Sequence, residues 1–254
     1  MGLAGLAVVL VAAVVLTVLL VDRRGGAARA VDQSRPGPVL LVPGYGGSVT
    51  SLESLAASLR ATGRDVTIVT LPDRARGDLS EQATSLAAAA EAALDRTRAG
   101  SVDVVGYSAG GVVARLWVTE DGGATSVRRL VTLGSPHHGT ELAELGALTP
   151  GTCPEACQQL SPSSPLLARL DAEPLPAGPE YLSLWTARDD VVIPPSSAVI
   201  DGVPSPSLQS VCPASQVQHG GLPGDPLVQR LVAQALAPNP IPTWGPADCA
   251  RLTS

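Results

Sequence analysis

A serine hydroxyl becomes a nucleophile when a histidine takes its proton and a carboxylate orients that histidine. The chain carries all three groups in settings that suit these tasks. Ser108 stands in Gly106-Tyr107-Ser108-Ala109-Gly110-Gly111, directly after the strand-like run Val102-Asp103-Val104-Val105. A Gly-x-Ser-x-Gly corner between strand and helix lifts the serine clear of its neighbours by forcing the backbone through a strained turn. Gly106 and Gly110 keep the crowded sides of that turn free of Cβ atoms. Asp189 opens Asp189-Asp190-Val191-Val192-Ile193-Pro194, and His219 stands in Gln218-His219-Gly220-Gly221. The chemistry such a set performs is acyl transfer. His219 would take the proton of Ser108 and hand it to the leaving group, while Asp189 fixes the imidazole tautomer and stabilises its cation. The backbone N–H groups of Ala109 and Tyr45 would bind the tetrahedral oxyanion, each worth about 3 kcal/mol.

These residues need a scaffold that brings them to one place, and the hydrophobic pattern supplies one. Residues 38–42 read as a buried strand feeding the glycine-rich turn Pro43-Gly44-Tyr45-Gly46-Gly47-Ser48, whose backbone N–H groups can point into one concavity. Thr50 and Glu53 have the spacing of a capping box for the next helix. Further strands are expected at 65–71, 102–107, 127–133 and 181–187, with helices after the elbow, over 79–98 and from Asp225-Pro226 onward. Alternating strands and helices mean a mostly parallel sheet with helices on both faces. Ligands in such sheets bind beyond the carboxyl ends of the strands, where the loops of Tyr45, Ser108, His137 and Asp189 would meet. Residues 141–178 break the alternation, and an insert there is expected to cap the site. The glycine-rich turn lacks both the Gly-Lys-Ser/Thr and the Gly-x-Gly-x-x-Gly patterns, which removes the nucleotide reading.

In an α/β-hydrolase the triad runs serine, acid, histidine, the order of Ser108, Asp189 and His219. Together with Val42-Pro43-Gly44-Tyr45-Gly46-Gly47, Leu133-Gly134-Ser135-Pro136-His137-His138-Gly139-Thr140 and His219-Gly220-Gly221-Leu222, the chain resembles small secreted bacterial triacylglycerol lipases and esterases of the α/β-hydrolase fold over roughly residues 38–237. It departs at Tyr107, where those lipases usually have histidine, and at Ala109, where methionine or glutamine is usual. The resemblance implies that Asp189, ahead of an x-Val-Val-x-Pro tail, is the acid in place of Asp190, and that Tyr45 supplies an oxyanion N–H. It also implies that Gly44, Gly46, Tyr107, His137 and His138 belong to loops flanking the substrate, with the two histidines not catalytic. Adjacent histidines cannot easily share one tetrahedral ion, so no metal is expected. No cofactor is needed.

The rest of the chain bears on compartment. Residues 2–21 are apolar except for Thr17 and are followed by Arg23 and Arg24. Such a run can cross about 30 Å of hydrocarbon, and Ala28-Arg29-Ala30 offers a cleavage site. Residues 1–30 are therefore expected to be a signal peptide or an N-terminal membrane anchor, 31–37 a spacer, and 38–254 one hydrolase domain ending in a proline-rich tail at 238–254. The arginines on the C-terminal flank argue against export by the positive-inside rule. The four cysteines argue for it, because an even number behind a targeting-like segment favours disulfides. Of three possible pairings, Cys153 with Cys157 and Cys212 with Cys249 is preferred, since the first closes a short loop and the second pins the tail. A net charge of −6 gives no case for a nucleic-acid partner. The expectation is an exported, monomeric carboxylic-ester hydrolase acting on a lipid or small acyl ester. An acyltransferase of the same fold and a catalytically silent cell-surface binding domain are the alternatives.

Overall fold

Five strands pair into one parallel sheet: β1 (Val39–Val42), β2 (Val66–Ile68), β3 (Val102–Tyr107), β4 (Val127–Leu133) and β5 (Glu180–Leu184), in the order β2-β1-β3-β4-β5. The computed structural model describes residues 31–148 and 151–254. The expected membrane segment and its cleavage site lie outside them, and among the described residues no helix is long and apolar enough to cross a membrane. The helices are α1 (Glu53–Ala61), α2 (Leu79–Thr97), α3 (Ala109–Glu120), α4 (Glu141–Ala147), α5 (Glu155–Gln159), α6 (Pro165–Ala172), α7 (Leu208–Val211), α8 (Pro226–Ala235) and α9 (Cys249–Thr253).

Successive side chains of a strand point to opposite faces, and β1 divides its residues accordingly. Leu40 and Val42 pack with the apolar sides of α2, α3 and α6, while Val39 and Leu41 pack with α1, α8 and Leu252 of α9. Both faces are thus covered, as a parallel sheet requires. Asp225 starts α8 by accepting hydrogen bonds from the N–H groups of Leu227 and Val228. The Cys212–Cys249 disulfide ties α7 to α9, and Trp244 and Leu252 are buried, so the tail is part of the core.

Two expectations need correction. The Thr50/Glu53 capping box does not form, because a 3-10 turn over Thr50–Leu52 precedes α1 and Val49 before it is already in the right-handed helical region. Thr50 is then inside the turn, and a cap needs extended backbone. The second strand is three residues long and not seven, its last bond to β1 running from Val69 N–H to the Leu41 carbonyl.

The far end of the sheet holds buried charge. Asp103 accepts from Arg128 Nε at 2.8 Å and Nη2 at 2.6 Å, and pairs with Arg64. Arg128 also donates to the carbonyls of Gln33 and Leu236, and Arg129 to that of Asn239, so the two arginines bind the spacer and the end of α8 to the strands.

Candidate active site

The elbow places Ser108 between β3 and α3 with φ 53° and ψ −129°, a conformation that non-glycine residues enter only under strain. Its neighbours must yield space. A Cβ on Gly106 would stand 2.5 Å from Gly111 Cα, and one on Gly110 would stand 2.3 Å from the carbonyl oxygen of Val42.

From that corner a line of hydrogen bonds runs inward. Ser108 Oγ lies 3.0 Å from His219 Nε2, and His219 Nδ1 lies 2.8 Å from Asp189 Oδ2. Both His219 and the carboxylate of Asp189 are buried. The other oxygen of Asp189 accepts from the N–H groups of Val191 at 2.9 Å and Val192 at 2.7 Å, which holds the carboxylate in place. The structure therefore joins residues 111 apart in sequence in one relay. Asp190 has a different partner: its Oδ1 accepts from the backbone N–H of His219 at 3.3 Å.

Ser108 opens into a cleft of about 310 Å³, lined among others by Tyr45, Pro136, Leu142, Ala143, Leu160 and Val192. The walls are mostly apolar. Most of the wall facing the elbow comes from α4, α5 and the loop between them, within the stretch expected to be a cap, and Cys157 of the Cys153–Cys157 disulfide is part of it. The rest of that stretch behaves differently, since Leu166, Leu167 and Leu170 of α6 are buried against the sheet. Ala109, next to Ser108, is the first residue of α3, where an N–H has no intrahelical acceptor. Gly44 brings the Tyr45 turn close, as a Cβ there would stand 2.8 Å from Ser108 Cβ, and Gly46 has φ +91°.

With this geometry in view, the comparisons decide the lineage: the palmitoyl protein thioesterase family matches residues 38–168. The chain belongs to that family. No curated protein matches it in sequence. Among solved structures it resembles Aspergillus fumigatus lipase B, 22% identical over 85% of this chain and 55% of that one, with TM-score 0.66. The mature form of Bacillus licheniformis lipase BlEst2 is 20% identical over 68% of this chain and 82% of that one, with TM-score 0.59. The chain covers 36% of the propeptide form of the same lipase. These likenesses establish the α/β-hydrolase fold.

Three of the residues placed beside the substrate by sequence turn elsewhere in this family member. His137 is fully buried. Its Nε2 is 3.1 Å from Thr132 Oγ1, whose own hydrogen goes to Ser183, so His137 carries its hydrogen on Nε2 and is neutral. Burial first, then the Arg115 guanidinium and His138, hold its pKa well below the ordinary value. His138 bonds Asp171 Oδ2 at 2.7 Å and the Val199 carbonyl at 2.9 Å, and it is Pro136 and Thr140 of that loop that line the cleft. Tyr107 packs against His219, ring centroids 5.2 Å apart, and donates to the His219 carbonyl oxygen at 3.3 Å. Burial, with the carboxylates of Asp189 and Asp190 adding to it, pushes its phenol up to about 12, so the donor hydrogen stays on.

Sequence reasoning did not single out Thr186, Gln209 or the task of Gly134. Thr186 Oγ1 donates to the Val217 carbonyl at 2.6 Å and accepts from Gln209 Nε2 at 3.1 Å, which fastens the Asp189 loop to the His219 loop. Gly134, with φ +52°, leaves room where a Cβ would stand 3.2 Å from both Asp189 Oδ2 and His219 Nδ1.

Proposed function

We propose that the protein is a serine hydrolase of acyl esters and thioesters, with Ser108, His219 and Asp189 as its catalytic triad. The observation that carries this is the relay of 3.0 and 2.8 Å from Ser108 Oγ through His219 to Asp189. Ser108 Oγ attacks the acyl carbon while its proton passes to His219 Nε2. The N–H groups of Ala109 and Tyr45 take the oxyanion charge as it develops. Collapse expels the alcohol or thiol, which leaves with the proton from His219, and the acyl group remains on Ser108. Water then repeats the sequence and releases the acid. Thioesters enter the reading through the family, and the apolar cleft supports an acyl chain as the group bound.

The reading extends to the compartment. Two disulfides and the apolar stretch at residues 2–21 support export, secreted or held at the outer face of a membrane, where thiols stay oxidised.

Hydrolysis of p-nitrophenyl esters and of acyl thioesters by the purified protein tests the activity. Ser108→Ala should lower turnover about a thousandfold or more and abolish labelling by a fluorophosphonate. Labelling that persists in the variant would overturn the assignment.

A further inference from the structure

Beside the Tyr45 turn the chain does something few chains do. Asp73, Arg74 and Ala75 are three consecutive non-glycine residues in the left-handed region, with φ 46°, 51° and 55°. Such residues visit that region singly, and a run of them persists only where the surroundings hold it and where it serves a task. The surroundings here belong to the cleft. Gly47 lies against the backbone of this turn, since a Cβ on it would stand 2.9 Å from the carbonyl carbon of Arg74. The carbonyl oxygen of Arg76 accepts from Ala156 N at 3.0 Å, next to the cleft residue Cys157.

The turn ends by setting the guanidinium of Arg76 over the ring of Tyr45, 5.7 Å from its centroid, and Tyr45 is a wall of the cleft beside Ser108. Nine arginines elsewhere pair with carboxylates. Arg76 pairs with none among the described residues, and its Nε–H is buried without an acceptor. The carboxylate of Asp73, in the same turn, lies toward Gly77, 3.8 Å from where a Cβ would stand there. A charge that has already lost part of its water and has unused donors gains more from an incoming anion than a fully solvated one does.

We propose that Arg76 is a specificity-determining residue that binds an anionic group, a phosphate monoester above all, carried by the leaving group of the acyl substrate. The inference rests on the serine-hydrolase reading for what fills the cleft. The acyl chain takes the apolar walls of Leu142, Ala143 and Leu160, so the charge must sit on the other half of the substrate, on the side where Tyr45 lines the cleft and Arg76 covers its ring.

Matched twins that differ only in the phosphate test this. One pair is 1-octanoylglycerol and 1-octanoylglycerol 3-phosphate. The other is the octanoyl thioesters of N-acetylcysteamine and of phosphopantetheine. The phosphate should lower KM about fivefold in at least one pair, the size of one partly solvated arginine contact, and the pair that responds identifies a phospholipid or a phosphorylated thiol arm as the source. Arg76→Gln should bring the ratio between twins to about one, and Arg76→Lys should keep part of it. Any disturbance of Tyr45 by the lost guanidinium falls on both twins and cancels in the ratio. Calorimetric binding of the same twins to the Ser108→Ala protein should show the same preference without turnover. Equal binding of both twins, or a preference that survives Arg76→Gln, would overturn the inference while leaving the hydrolase intact. Preferential binding by a protein that hydrolyses nothing would sink the hydrolase reading and leave the Arg76 site standing.

Discussion

Asp189 and Asp190 are neighbours in sequence with different positions around one histidine. Asp189 meets the ring at Nδ1, 2.8 Å away, where it can select the tautomer and stabilise an imidazolium; Asp190 meets only the backbone N–H of His219, at 3.3 Å. Asp189→Asn should therefore cost about 10⁴-fold in kcat, because an amide that donates to Nδ1 selects the wrong tautomer. Asp190→Asn should cost about fivefold or less, because the asparagine Oδ1 can still accept from the His219 N–H and only the charge is lost. Parallel kinetics on a single p-nitrophenyl ester ranks the two, and the reverse ranking would move the acid to Asp190. At this scale the sequence was informative where a residue sits inside a spaced pattern. Ser108 has its two glycines, and chain order then nominates Asp189 and His219. It was silent on Thr186 and Gln209, because a hydroxyl and an amide that join two distant loops leave no periodicity to read. It placed His137 in a loop flanking the site but gave no sign of where its side chain would go. The imidazole in fact points away from the cleft, to Thr132.

The elements that carry the site were legible in proportion to their burial. Residues 127–133 were expected as a strand and β4 has those bounds, since each of its side chains is buried and the run is apolar except for Arg128, Arg129 and Thr132. The insert after β4 had no such signal. Its helices are short, and it divides its work: α6 packs on the sheet, while α4 and α5 form a wall of the cleft. The Cys153–Cys157 disulfide stiffens that wall, with Gly146 of α4 packed against it, 3.5 Å separating the position of a Gly146 Cβ from Cys157 Sγ. Leu145 and Leu148 stand exposed, and Leu142 is exposed where it lines the cleft. Replacing both cysteines by serine should let the wall move and change the ratio of long- to short-chain ester hydrolysis severalfold. The chemical step on a short ester should stay nearly intact, because the disulfide touches none of Ser108, His219 or Asp189. A chain-length profile that does not move in a folded variant would reduce the disulfide to a packing role.

For the whole molecule, the candidate site lies at one end of the sheet and buried ion pairs hold the other. The arginines at positions 128 and 129 read in sequence as part of a general arginine bias, and only burial distinguishes them: they join β4, the spacer and α8 through Asp103 and backbone carbonyls. Between the two ends lies His137, which links sheet to loop through Thr132, Ser183 and the Ala198 carbonyl. That chain needs a neutral imidazole with hydrogen on Nε2. Its Nδ1 is buried with no partner, so a second proton would have no acceptor. Burial and the nearby Arg115 charge depress its pKa in the folded state, whereas in the unfolded chain a histidine titrates near 6.5. Below that value the unfolded state binds a proton that the folded state refuses, so this group's contribution to stability falls as pH drops and is constant above about 7.5. Between pH 7.5 and 5.5 the loss from this one residue comes to about 1.4 kcal/mol. Urea unfolding at the two pH values should show a decrement about 1.4 kcal/mol smaller in His137→Gln than in the wild-type protein, whatever the substitution does to stability at pH 7.5. An unchanged pH decrement in the variant would mean that His137 takes up its second proton, on Nδ1, as readily in the native state as in the unfolded chain, and would overturn this reading.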